Sequence, residues 1–256
     1  MKIIRPEDVE PIINPGAAEQ REGRQIHRRI LSYPDGGPST IDMGFNQSKG
    51  ELDVAIAYAY DRHEFCYNVR GSAVAYNDGE TVNVRAGTFM WRPAGAVTRR
   101  VTTADDYASI CAFGPARTDG WSHRLSPERI DELRQLTDGP VRPQFRSVDQ
   151  VPEVPFADGT VHGPVIHRVI FDTPQMVVSH IIFGSDGALA VEAQKREDIY
   201  WLESGKALVD ARGSSLFLNE GEFLHIRPGE AIEKLTAQGP SVLIRWSAPA
   251  SENGPA

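Results

Sequence analysis

The chain has only two cysteines in 256 residues, Cys66 and Cys111. Two are too few for a disulfide framework, so a cytoplasmic chain with reduced thiols is expected. No run approaches the ~18 apolar residues that would span a bilayer, so no membrane partner is expected. The opening Met1-Lys2-Ile3-Ile4-Arg5-Pro6 lacks the apolar core of a signal peptide. Basic residues are outnumbered: 27 Lys and Arg against 35 Asp and Glu leave a formal charge of −8. That balance argues against a nucleic-acid partner, and Arg99-Arg100 is too short a run to form a basic patch. Phosphate loops, zinc-finger spacings and nucleophile elbows are all missing. Among the histidines, His27, His123, His162 and His167 share no ligand spacing. His63 reads as a surface or capping group, and Cys66 as a small core residue.

A repeat is what stands out. Glu64-Phe65-Cys66-Tyr67-Asn68-Val69-Arg70-Gly71 returns as Asp198-Ile199-Tyr200-Trp201-Leu202-Glu203-Ser204-Gly205, at the 134-residue offset that separates Gly71 from Gly205. The same offset carries Arg62 to Arg196, Gly87-Thr88-Phe89 to Gly221-Glu222-Phe223, and Gly95 to Gly229. A constant offset over this span indicates two copies of one β-unit. Leu52, Val54, Ile56, Tyr58 and Tyr60 alternate with Asp53 and three alanines, which is the period of a strand. Asn77-Asp78-Gly79-Glu80 carries a hairpin signal. Many short strands at even spacing predict an all-β sandwich or small barrel in each copy. One helix is predicted after the first copy: Ser126 as cap, Pro127 in the first turn, an Ile130, Leu133, Leu136 stripe, and a stop at Asp138-Gly139-Pro140. The expected layout is an arm over 1–25, a β-unit over 26–118, a helical linker over 119–140, a second β-unit over 141–250 and a polar tail over 251–256.

Each unit resembles a cupin, a small jelly-roll barrel. Glu64 and Gly71 have the spacing of the family's first motif, and Gly87, Pro93 and Gly95 that of its second. Asp198, Gly205, Gly221 and Gly229 hold the corresponding places in the second unit. Tyr60-Asp61-Arg62-His63-Glu64-Phe65-Cys66-Tyr67 is similar to cupins of the ethanolamine-utilisation type, and the two-unit layout to bicupins such as ureidoglycine aminohydrolase. The resemblance implies two tandem jelly-roll barrels joined by a short helix, and a homodimer. It also implies metal-binding histidines, and here the chain departs from it. Tyr58 and Tyr60 stand at the paired histidine positions of the first unit, Glu192 and Gln194 at those of the second. Thr98 and Ile232 stand where the later histidine belongs. The second unit could still gather Glu192, Gln194, Asp198 and His225 around a divalent metal such as Mn, Fe, Zn or Ni. Otherwise no cofactor is expected.

Alternation assigns an inward face to each barrel. In the first it holds Tyr58, Tyr60, Glu64, Cys66, Asn68, Phe89, Trp91, Thr98 and Arg100. In the second it holds Glu192, Gln194, Asp198, Tyr200, Leu202, Phe223, His225, Ile232 and Lys234. So polar a first interior admits two readings. It is a cavity, with Arg100 holding a carboxylate, Trp91 and Phe89 as walls, Asn68 and Thr98 as further contacts, and Tyr58, Tyr60 and Glu64 moving protons. Or it is a plug, closed by an Arg100–Glu64 ion pair. The expectation is an enzyme acting on a small polar, carboxylate-bearing metabolite by metal-independent proton transfer, as an isomerase, lyase or hydrolase. The alternatives are a non-catalytic ligand-binding or sensing protein, and a metal-dependent hydrolase or dioxygenase working from the second barrel.

Overall fold

The computed structural model describes residues 1–14, 24–32, 40–49, 52–53, 59–103, 106–116, 124–136 and 141–249. The chain divides into two compact units, Val9–Ser147 and Met1–Asp8 with Val148–Ala256. The division therefore falls at 147, not 140, and the expected arm is split between the units.

Strand β1 (Lys2–Ile4) belongs to the C-terminal unit. The N-terminal unit contains β2 (Ile12–Asn14), β3 (Arg24–Leu31), β4 (Asp42–Lys49), β5 (Leu52–Asp53), β6 (His63–Arg70), β7 (Ser72–Asn77), β8 (Glu80–Arg85), β9 (Thr88–Arg92), β10 (Arg99–Thr102), β11 (Asp106–Gly114), helix α1 (Pro127–Leu136) and β12 (Gln144–Ser147). One sheet runs β12-β9-β6-β11-β4-β3-β2 and the other β5-β10-β7-β8. The C-terminal unit continues with β13 (Gly159–His162), β14 (Val165–Asp172), β15 (Val177–Phe183), β16 (Ala188–Val191), β17 (Arg196–Ser204), β18 (Lys206–Ala211), β19 (Ser214–Asn219), β20 (Phe223–Ile226), β21 (Ile232–Ala237) and β22 (Ser241–Pro249). Its sheets run β1-β20-β17-β22-β15-β14 and β13-β16-β21-β18-β19. Each unit is a two-sheet jelly roll, the cupin fold.

The repeat holds strand by strand. Moved by the sequence offset, β7 and β8 fall on β18 and β19 residue for residue. The turns between them match as well: Asp78 and Gly79 have φ of 42° and 88°, Arg212 and Gly213 of 52° and 72°. Positive φ at both central residues is the turn that suits the twist of a hairpin. Edge strands differ in origin. β12 closes the sheet beside β9, and β1 takes the same place beside β20.

Helix α1 starts at its predicted cap, where the Ser126 hydroxyl accepts the Arg129 N–H at 3.3 Å. It is part of the N-terminal unit, not a free connector. Ile130 is buried, and Leu133 lies so close over Gly95 that a Cβ there would meet its Cδ1 at 2.9 Å. Of the strand expected over 52–60, Val54, Ile56 and Tyr58 lie outside the described residues; Tyr60 makes an isolated bridge to Arg124.

The C-terminal core is one apolar cluster in which Ile181, Leu189, Leu202, Val209, Leu218, Leu235 and Leu243 have no exposure. In the N-terminal unit Ala73, Ala75, Val84 and Tyr107 form one cluster, and Cys66, Cys111 and Phe113 another. Among the described residues no helix is long and apolar enough to cross a membrane.

Candidate functional site

Register decides what enters the first barrel. β6 pairs with β9 so that Glu64 faces Arg92 and Cys66 faces Met90, while Phe65 faces Trp91 and Tyr67 faces Phe89. Residues directly opposite in an antiparallel pair share a face of the sheet. Glu64, Cys66, Asn68, Thr98 and Arg100 therefore line the interior as expected, together with Thr88, Met90 and Arg92. Phe89 and Trp91 do not. The Phe89 ring packs on Tyr67 at 4.6 Å between centroids, and Trp91 stacks on Phe65 at 6.2 Å. Alternation within β9 is right and its phase is off by one, because parity inside one strand carries no information about its register against the next. His63 accepts the Trp91 Nε1–H at 3.3 Å on that outer face, and burial lowers its pKa.

Inside the barrel several polar groups are already paired, while Asn68 Oδ1 is buried with no hydrogen-bond partner. Glu64 forms a buried ion pair with Arg92, so the expected Arg100–Glu64 pair is not made. The Arg92 guanidinium also lies 4.4 Å from the Tyr60 ring centroid. Arg100 donates to the Tyr107 hydroxyl at 3.1 Å, Thr98 to Asn77 Oδ1 at 2.7 Å, and the Asn68 amide to the Gly71 carbonyl at 3.2 Å. Tyr58 lies outside the described residues. The side chains leave about 30 Å³ open to the centre of a water-sized sphere. That is room for about two waters or one carboxylate group, far below the several hundred Å³ of a drug-sized site.

Two findings had no counterpart in the sequence reading. Arg92 is the cation of Glu64. Cys66 and Cys111 are joined as a disulfide, where reduced thiols were expected. The two cysteines are 45 residues apart, and only the pairing of β6 with β11 sets them opposite each other.

The second barrel is filled. Asp198 accepts two bonds from Arg245 Nη2, at 3.0 and 2.9 Å, and Arg245 Nη1 reaches Asp158. Tyr200 faces Arg245 from the neighbouring strand and is fully buried. Burial drives the Tyr200 hydroxyl well above its ordinary pKa. Burial also pushes the Asp158 carboxyl up, but the Arg245 guanidinium overcomes this and holds it low.

The expected metal set is not gathered. Asp198 pairs with Ile226 while His225 pairs with Ile199, which puts His225 on the opposite face, 2.7 Å from Glu197. Glu192 is exposed, and Gln194 donates to the Asp158 carbonyl at 3.1 Å. Lys234, expected inside as the counterpart of Arg100, is exposed. The first barrel does not fit the imidazole-rich cupin metal set either. Tyr60, Glu64 and Thr98 stand at its described positions, and the nearby imidazole, His63, faces outward.

No family model matches the chain, and no curated protein matches it. Solved structures do. Protein Ylba of E. coli is 12% identical with a TM-score of 0.69, over 98% of this chain and 92% of its own. The Mn(II)-containing oxalate decarboxylase of Bacillus subtilis is 11% identical with a TM-score of 0.61, over 98% and 78%. Hazelnut (Corylus avellana) vicilin is 12% identical with a TM-score of 0.60, over 97% and 85%. At these identities the likeness shows the shared fold, and the chemistry must come from this chain's own residues.

Proposed function

We propose that the N-terminal barrel is the working site. It takes an acid of a few heavy atoms, Arg100 holds the carboxylate, and Glu64 and Tyr60 move a proton on the bound molecule. The C-terminal barrel is the scaffold. The observation that carries this is the contrast between the interiors. One is closed by Arg245, Asp158, Asp198 and a continuous apolar cluster. The other keeps a small cavity beside a carboxylate, a guanidinium, an amide and a hydroxyl. A guanidinium fork suits a carboxylate, and Asn68 and Thr98 can orient it. The finer likeness of Tyr60-Asp61-Arg62-His63-Glu64 to ethanolamine-utilisation-type cupins, and of the layout to ureidoglycine aminohydrolase-like bicupins, supports small-metabolite chemistry and names no substrate.

Ligand binding without turnover is the second reading. The Glu64–Arg92 pair favours it, since that contact occupies the carboxylate that would act as base. The test is a panel of one- to three-carbon carboxylates, scored by melting temperature and calorimetry. One acid is expected to bind, and Arg100→Gln to weaken it about tenfold or more, the scale of one lost charged hydrogen bond. Glu64→Gln and Tyr60→Phe should keep binding and lose turnover of that acid. Binding without wild-type turnover would leave the non-catalytic reading, unchanged turnover in both variants would place the chemistry outside this barrel, and no binding by any acid would sink both readings.

A further inference from the structure

We propose that, when Cys66 and Cys111 are reduced, the N-terminal barrel binds one thiophilic divalent cation of the zinc class through their two thiolates and Glu64. Glu64 belongs to the family's first motif and Tyr60, at one of its histidine positions, packs against the cluster that holds the two cysteines; the sulfur ligands are this chain's own, and the proposal stands whether or not the barrel turns over an acid.

Three observations carry it. First, one ligand atom from each of Glu64, Cys66 and Cys111 lies within 4.8 Å of the other two, and all three residues are buried. Reduction parts the two bonded sulfurs and leaves them beside the carboxylate as neighbours that can share one cation, and a three-ligand set with one open position is the pattern of non-structural zinc sites. Second, the cluster borders open space. Glu64 and Cys66 line the roughly 30 Å³ cavity, and Met90 and Ser109 line it beside them. Ser109 Oγ is 3.9 Å from Cys111 Sγ, and Met90 faces Cys66 across the strands. The surroundings are therefore rich in sulfur, which selects soft metals over magnesium or calcium.

Third, the buried charge balances in both states. With the disulfide formed, Glu64 and Arg92 cancel. With two thiolates and a divalent cation in its place, the added charges cancel as well, so the exchange buries no net charge. The open dithiolate without metal lacks that balance. The chemistry is closed in atoms and electrons. A small-molecule dithiol gives two electrons and two protons to the Cys66–Cys111 bond and itself becomes a disulfide. The two thiols then lose their protons to buffer as the cation binds. Oxidation of the pair removes both sulfur ligands at once, so the site is open only under reducing conditions.

The experiment uses the full chain and cobalt(II), which reports thiolate ligation by its charge-transfer absorption. One sample is reduced with excess dithiol in the presence of chelator and desalted without oxygen. A second is left oxidised. The reduced protein is expected to take one equivalent of cobalt with a sulfur-to-metal band that zinc abolishes; the oxidised protein should show none. Glu64→Gln should weaken cobalt binding by about tenfold or more while keeping the band, since a direct ligand is worth at least as much as the outer-shell partner whose loss costs on that order. Circular dichroism verifies that the reduced wild type is folded, so no substitution is needed for the central comparison. Folded reduced protein that takes no cobalt overturns the proposal, as does cobalt bound without a sulfur band. A band that survives in the Cys66→Ser/Cys111→Ser double variant overturns it too. Acid binding by the oxidised protein is read separately, so failure here and failure of the proposed function are distinguishable.

Discussion

Cys111 and Arg245 occupy one place in the repeat, and so do Cys66 and Tyr200. Cys66 faces Cys111, and Tyr200 faces Arg245, across the equivalent two strands of each barrel. In the second barrel the guanidinium lies 5.7 Å from the Tyr200 ring and ties Asp198 down. In the first, Glu64 holds the place of Asp198, but its cation comes from the other neighbouring strand, as Arg92. A cysteine thus stands in the first barrel where Arg245 stands in the second, and the cavity lies beside it. A buried titratable group in the C-terminal unit shows the cost of such interiors. Burial, with help from Arg168, lowers the His180 pKa to about 4, although Glu203 Oε2 lies 3.9 Å from its Nε2. The folded state thus prefers neutral His180, whereas the unfolded chain takes up a proton near pH 6.5. Its contribution to stability is complete above about pH 6.5 and is lost as pH falls toward 4. The loss approaches about 3 kcal/mol at full protonation. Urea unfolding at pH 7.5 and at pH 4.5 should show a steep drop for the wild type and a visibly shallower one for His180→Gln. Equal drops would mean that other groups set the acid limit. Glu64, Asn68, Thr98 and Arg100 were legible as interior from alternation alone. Arg92 and the disulfide were not, because both depend on which strand lies beside β6.

At the scale of elements, the repeat reads cleanly where the chain turns tightly and poorly where it pairs at a distance. Gly71 and Gly79, on either side of β7, show two different demands on glycine. Both have positive φ, 76° and 88°. At Gly79 a Cβ would meet nothing within 4 Å, whereas at Gly71 it would stand 2.4 Å from the Asp106 carbonyl oxygen and 2.9 Å from Tyr107 Cα. Those are backbone atoms of β11, which cannot swing aside as a flexible side chain can. Gly79→Ala should therefore cost only the left-handed backbone, about 1–2 kcal/mol. Gly71→Ala should cost that and about 1–3 kcal/mol more, the scale of a strained insertion. Denaturant midpoints of the two variants test this, and equal losses would show that β6 and β11 part without strain. The hairpin of β7 and β8, helix α1 and its cap were visible in sequence because each is set by residues a few positions apart. The phase of β9 was not, since it is fixed by hydrogen bonds to β6 and β12. Nor was the fate of α1, whose apolar stripe turned back onto the Gly95 turn instead of bridging two units.

For the molecule as a whole, chain order and spatial membership part company at the N-terminus. The polar, Pro- and Glu-rich composition of residues 1–25 reads as an arm, and Lys2-Ile3-Ile4 is too short to show a strand period against it. Yet β1 pairs Lys2 with His225, Ile3 with Leu224 and Ile4 with Phe223. Ile4 is buried, and Met1 and Ile3 pack against the C-terminal apolar cluster. Arg5 bonds Glu222 at 2.7 Å, and the terminal ammonium meets Glu230. The bond to Arg5 is among the contacts that hold the Glu222 carboxyl low against the opposing effect of burial. β1 thus covers the edge of β20 as β12 covers that of β9, and each barrel is closed by a strand from outside its own repeat. An uncovered edge leaves N–H and C=O groups without partners. Deleting residues 1–8 should therefore loosen the C-terminal unit and spare the N-terminal one. Amide exchange is the measurement. Phe223–Ile226 should lose protection by on the order of tenfold, while β6 and β11 keep theirs. Unchanged protection across β20 would mean that the strand is held by β17 alone, with β1 merely resting on it. Loss in β6 as well would mean that the two units unfold as one.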